Sequence, residues 1–187
     1  MEKKFRVDGH LGGNIEGGDK DTFYPSLWDW MVKTLGVKTV LDVGCGQGHA
    51  LKEFVRFGCQ VCGIDGLRSN VDDCNASGCK AFVHDLTQGP WTCDPRVDLV
   101  WCCELVEHIE DKHMEKLLAT LSNGRFVAMT HALPGQIGHH HVNCRPSSYW
   151  IRKMNGVGYD LRADLTEKSR TLAPSYWAQT GLVFEKS

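Results

Sequence analysis

The run Val40-Leu41-Asp42-Val43-Gly44-Cys45-Gly46-Gln47-Gly48 leaves few folds open to this chain. Mostly apolar residues lead straight into three glycines at alternating positions, which reads as a buried strand entering a turn where the backbone needs positive φ and close approach to a ligand. Ala50 to Phe57 then carries apolar residues at helical spacing. Gln60 to Asp65 reads as a second strand ending in an acid, about 20 residues beyond the first glycine. Strand, glycine-rich turn, helix and acid-terminated strand predict the start of a nucleotide-binding α/β fold, with the acid placed to accept ribose hydroxyls.

Further elements continue the alternation. An amphipathic helix is expected over 23–35 and another near 69–76. Lys80 to Asp85 reads as a third strand ending in an acid, and Val97 to Cys103 as a fourth, apolar enough for a buried parallel strand. A helix over about 112–121, a fifth strand over 125–130, a helix over 147–154 and a closing strand over 181–185 complete the series. The fold class expected is α/β, a Rossmann-like, doubly wound, mostly parallel sheet with its ligand at the carboxyl ends of the strands. Residues 1–22 are polar and glycine-rich and read as an N-terminal arm or lid; residues 23–187 form the domain.

The glycines fall as G-x-G-x-G, with His49 where a dinucleotide fingerprint would place its last glycine. Together with Asp42 inside the strand, the pattern resembles motif I of class I S-adenosylmethionine (SAM) methyltransferases. Nearly the whole chain is similar to a bacterial and phage group of these enzymes of the type-11/type-23 kind. The matching pieces include Gly12-Gly13, Gly18-Asp19, His84-Asp85, Glu104 to His108, Thr130-His131-Ala132, Pro134 to Asn143 and Tyr149-Trp150. The resemblance implies a SAM-binding fold and methyl transfer. It places Gly44 and Gly46 against the methionine end of SAM, near Asp42, and Asp65 with Gly66 at the ribose. Asp85 and the Leu86 amide fall at the adenine, Cys103 beside the sulfonium, and Gly12-Gly13 in an arm closing over the cofactor.

Glu104-Leu105-Val106-Glu107-His108 is the second strong signal. A helix beginning here would put Glu104, Glu107 and His108 at i, i+3 and i+4 on one face, a set able to ligate a divalent metal. E-x-x-E-H resembles the metal motif of small-RNA 2′-O-methyltransferases and of ubiquinone-pathway O-methyltransferases; many relatives keep similar residues without metal. Three consecutive histidines, His139, His140 and His141, follow the fifth strand, where acceptor-binding loops lie. Aligning Tyr149 with its small-RNA-family counterpart assigns His140 as the fourth ligand. His141 and His139 are then candidate general bases, and His131, ending the fifth strand, is a third candidate with a core role equally open.

A hydroxyl acceptor is favoured because the chain offers bases and ligands and lacks the N/D-P-P-Y/F segment of many amino-group methyltransferases. The expected partner is a small-molecule acceptor. A formal net charge of -2 counts against a large nucleic-acid substrate, which calls for a basic face. No run of eighteen apolar residues exists, so no membrane span is expected, and Met1 to Val7 lacks the apolar core of an export signal. Nine cysteines, an odd number, are read as reduced thiols in a cytoplasmic protein. The rival readings are an RNA 2′-O-methyltransferase, a catalytically inactive SAM-fold binding module and a nicotinamide oxidoreductase.

Overall fold

The computed structural model describes residues 5–6, 9–11 and 14–187; Gly12 and Gly13 lie outside them. An antiparallel ribbon of β1 (Phe5–Arg6) and β2 (Asn14–Ile15) opens the chain. There follow α1 (Pro25–Leu35), β3 (Thr39–Val43), α2 (His49–Arg56), β4 (Gln60–Asp65), α3 (Arg68–Ala76), β5 (Ala81–Val83), β6 (Val97–Cys102) and α4 (Met114–Leu121). β7 (Gly124–Met129), α5 (Ser147–Asn155), β8 (Tyr159–Leu161), α6 (Ala163–Arg170), α7 (Ser175–Thr180) and β9 (Leu182–Lys186) complete it.

Seven strands form one sheet in the order β5-β4-β3-β6-β7-β9-β8. β5, β4, β3, β6 and β7 run parallel, and β9 and β8 are antiparallel to their neighbours. The central strands are mostly apolar because both faces are covered, with Asp42 the buried acid in β3. Alternate residues feed two cores. Leu41, Val43, Val100, Cys102, Val127 and Met129 pack against α4 and α5. Val40, Leu99, Trp101, Phe126 and Ala128 pack on the other face with Trp28, Phe54 and Trp177. There the Trp101 and Trp177 rings stack at 4.6 Å. Pro25 opens α1, where its missing N–H costs nothing, and Gly36 (φ 66) closes it in the left-handed region.

Three expectations are corrected. The third strand stops at Val83, so His84 and Asp85 sit in the loop beyond it. Glu104 does not begin a helix: its φ is +52, and the segment before α4 holds only two short 3-10 turns, Val106–His108 and Asp111–His113. A left-handed residue breaks the helical repeat, so Glu104 is not on one helical face with Glu107 and His108. Third, β8, α6 and α7 were not expected. α6 is strongly polar, and β8 and α7 are too short to show a period.

Candidate active site

Gly44 and Gly46 of the glycine turn line a cavity of about 380 Å³ at the carboxyl end of the sheet. Gly44, Gly46 and Gly48 have φ of 79, 51 and 78, a region costly for any residue with a Cβ. The Gly44 and Cys45 amides donate to the Ile64 carbonyl at 2.9 and 3.0 Å, which pins the turn to β4. Asp65 extends that link. Its Oδ2 accepts from the Gly46 amide at 2.9 Å, while Oδ1 accepts from the Leu67 amide at 2.8 Å and Asn70 Nδ2 at 3.1 Å. Burial pushes its carboxyl above the usual range, against the pull of these donors. Asp42 is buried and pushed well above that range by desolvation first, with like charge from Cys74 and Asp65 adding to it.

Asp42, Gly44, Gly46, Asp65, Gly66, Asp85, Leu86 and Cys103 all line the cavity, so the structure brings together every described residue placed at the cofactor by resemblance. The arm reaches the same cavity. His10 Nε2 lies 3.2 Å from Asp85 Oδ2, and a Cβ on Gly66 would collide with Leu11. The Gly17 backbone bonds the His49 ring, and a Cβ on Gly18 would meet that ring at 2.6 Å. Sequence reading overlooked His10, Asp19, His49, His84 and His113 as cavity residues. The signal available was composition, since eight of the nine histidines line this one cavity.

At the β6 end the acids and histidines converge. The Glu104 amide donates to Thr130 Oγ1 at 2.7 Å, which fixes the left-handed turn. Glu107 is fully buried, and its backbone carbonyl accepts from the Val142 and Asn143 amides at 3.0 and 2.9 Å. These bonds dock the histidine loop on the turn. Glu107, His108 and His141 offer ligand atoms all within 4.8 Å of one another. The His141 Nδ1 atom lies 3.2 Å from the Gln136 carbonyl; donation there leaves a lone pair on Nε2. The His108 ring bonds the His140 backbone, while its Nδ1 is buried with no hydrogen-bond partner among the described residues. Both carboxylate oxygens of Glu107, Oε1 of Glu104 and Nε2 of His140 are likewise buried and, among the described residues, have no partner beyond the contact of the Glu104 and Glu107 carboxyls with each other.

Burial, then the Glu104 charge, holds the Glu107 carboxyl well above its ordinary range, and desolvation raises Glu104. Desolvation first, then the three neighbouring histidines, brings His108 down to about 4. Such orphaned acceptors are costly unless a proton or cation answers them, and the donor set of one carboxylate and two imidazoles fits a divalent transition metal.

Two sequence assignments change here. His141, not His140, joins Glu107 and His108, and Glu104 stands outside that group. The His140 backbone is left-handed, at φ +49, and its ring is not among the grouped ligand atoms. His131 is corrected as a catalytic candidate. It is 1% exposed and does not line the cavity, and its Nε2 lies 2.9 Å from Ser147 Oγ. A ring with no path to the acceptor cannot take its proton, so its role is to join β7 to α5.

Residues 40–123 match the family model of a methyltransferase domain. Over 87 residues the chain is 33% identical to the ubiquinone biosynthesis O-methyltransferase of Serratia proteamaculans, covering 40% of this chain and 33% of that protein. The match thus spans about a third of that relative's length. The fold is similar to the SAM-bound magnesium protoporphyrin IX methyltransferase of Synechocystis PCC 6803, with a TM-score of 0.63, 16% identity, and coverage of 87% and 77% of the two chains. It is also similar to a TehB-like SAM-dependent methyltransferase from Corynebacterium glutamicum, with a TM-score of 0.64, 18% identity, and coverage of 92% and 91%. No helix among the described residues is long and apolar enough to cross a membrane.

Proposed function

We propose, from the match of residues 40–123 to a methyltransferase-domain family model and from a fold similar to SAM-dependent methyltransferases, that the chain methylates a hydroxyl group of a small molecule, using SAM, in the cytoplasm. The observation that carries the choice of oxygen is a set of buried atoms at the β6 end that lack a hydrogen-bonding donor among the described residues outside the Glu104–Glu107 contact: Glu107 Oε1 and Oε2, His108 Nδ1 and His140 Nε2. A hydroxyl must lose its proton as the methyl group arrives, and an imidazole with an open lone pair suits that step.

The sulfonium leaving group is already activated, so the protein's part is chiefly orientation. The glycine turn and Asp65 hold the nucleoside and methionine portions, and the arm residues His10 and Leu11 close the adenine side as a lid. His140 Nε2 takes the hydroxyl proton. Glu107, His108 and His141 are the residues that would hold a divalent cation, which when bound lowers the pKa of a coordinated hydroxyl. No lysine or arginine is among the described residues lining the cavity, which supports an acceptor without phosphate groups over a nucleic acid.

Tritiated SAM incubated with the protein and a fractionated metabolite extract should deposit label in a base-stable, oxygen-linked methyl product. Calorimetric titration with Mn²⁺ should give one site in the wild type and none in Glu107→Gln, and chelation should lower turnover while SAM binding persists. Turnover indifferent to chelator, with no heat from Mn²⁺, Fe²⁺, Zn²⁺ or Mg²⁺, sinks the cation and leaves His140 acting alone. Label recovered on nitrogen or carbon sinks the hydroxyl acceptor.

A further inference from the structure

The strand order also orders the cavity. Along the carboxyl edge β5-β4-β3-β6 come Asp85, Asp65, Gly44 and then Cys103 with Glu104. On the SAM reading proposed above, that series runs adenine, ribose, methionine, transferred methyl. The arm returns to this edge at a definite point. Gly18 lies flat on the ring of His49, the first residue after the glycine turn, with φ +81 and no room for a Cβ. The next residue, Asp19, lines the cavity. Burial first raises the Glu104 carboxyl and the Tyr24 hydroxyl, and the nearby Asp19 charge adds to both. It therefore sits between the β3 and β6 ends, at the methionine position.

The direction of the carboxylate is fixed. Asp19 caps the 3-10 turn Lys20–Thr22, its Oδ1 accepting from the Asp21 amide at 3.0 Å. Its backbone carbonyl accepts from Thr22 Oγ1 at 2.8 Å. Ser175 Oγ, at the start of α7, donates to Asp21 Oδ1 at 3.3 Å and ties the turn to the body of the domain. A carboxylate held this way in a part-buried, low-dielectric wall recognises a primary ammonium by a charge-assisted hydrogen bond.

We propose that Asp19 binds the α-ammonium group of the methionine portion of SAM, so that the arm supplies a cofactor-binding residue and not only a cover. The inference rests on the SAM reading, and three ligands separate the two. S-Adenosylhomocysteine keeps the α-ammonium without the sulfonium charge, and 5′-methylthioadenosine keeps the nucleoside without the amino acid.

Calorimetry of Asp19→Asn should show SAM and S-adenosylhomocysteine each weakened about tenfold or more, the scale for a charged hydrogen bond, with 5′-methylthioadenosine unchanged. Asp19→Glu should recover part of the loss. Unchanged affinity for all three ligands overturns the assignment. So does an equal loss for all three, which reports a displaced arm, and so does a loss confined to SAM, which reports a contact to the sulfonium. Wild-type protein that binds neither SAM nor S-adenosylhomocysteine overturns the SAM reading and this assignment together.

Discussion

Asp65 performs two tasks with one carboxylate. Its oxygens accept from the Gly46 and Leu67 amides and from Asn70, so it fastens the glycine turn to the end of β4 while facing the cavity. Asp65→Ala should therefore weaken SAM binding by about 1.5–3 kcal/mol, the range for hydrogen bonds to a charged group, and loosen the turn as well. Calorimetry on the folded variant checks this, and unchanged affinity refutes the placement. Gly48 shows the same density from the other side. It starts α2 at φ 78, and a Cβ there would collide with Cys74 Sγ. Gly48→Ala combines left-handed strain with overpacking, each costing about 1–3 kcal/mol, so its urea midpoint should fall clearly below that of the wild type.

At the scale of elements, two segments outside the large sheet and its helices complete the cavity. The histidine loop is held by two amides donating to the Glu107 carbonyl, so loop position and Glu107 position are one variable. Among its described residues the arm meets the domain through His10 on Asp85, Leu11 on Gly66, Gly17 and Gly18 on His49, and Asp21 on Ser175. None of these lies in either sheet-facing core, so deleting residues 1–18 should leave unfolding cooperative and cut SAM affinity or turnover. Full affinity and turnover after that deletion would rule out the lid.

For the whole molecule, His131 offers a reading of stability. Burial first, and then the charge of Arg170, holds its imidazole below the ordinary 6.5 against the raising pull of the backbone at Ala132. As pH falls below 6.5, the unfolded chain takes up a proton that the folded chain refuses. Stability contributed by the neutral ring is thus full above 6.5 and declines on acidification towards the folded-state value. Urea unfolding at about pH 7.5, 6.5 and 5.5 should show a steeper acid-side decline in wild type than in His131→Gln. Identical slopes would mean the ring is not held neutral.

The sequence by itself determined the parallel strands of the sheet and the glycine turn at one end of the cavity. Local signals carry both: continuous apolar runs demand strands covered on two faces, and glycines at alternating positions beside an acid-terminated strand demand a tight ligand turn. Tertiary structure decided the catalytic end. A helical repeat through Glu104 was the natural expectation, yet Thr130, on the neighbouring strand's end, holds the Glu104 amide and turns it left-handed. Which of three adjacent histidines meets Glu107 and His108 depended on two amides docking the loop on the Glu107 carbonyl, a contact across more than thirty residues of chain. His131 matched a motif position but was claimed by Ser147 and the core. Asp19 and His10 carried no periodicity, and only the return of the arm to the sheet edge gave them a place. Periodic burial is written residue by residue, whereas the partner of a loop side chain is set by residues distant in sequence.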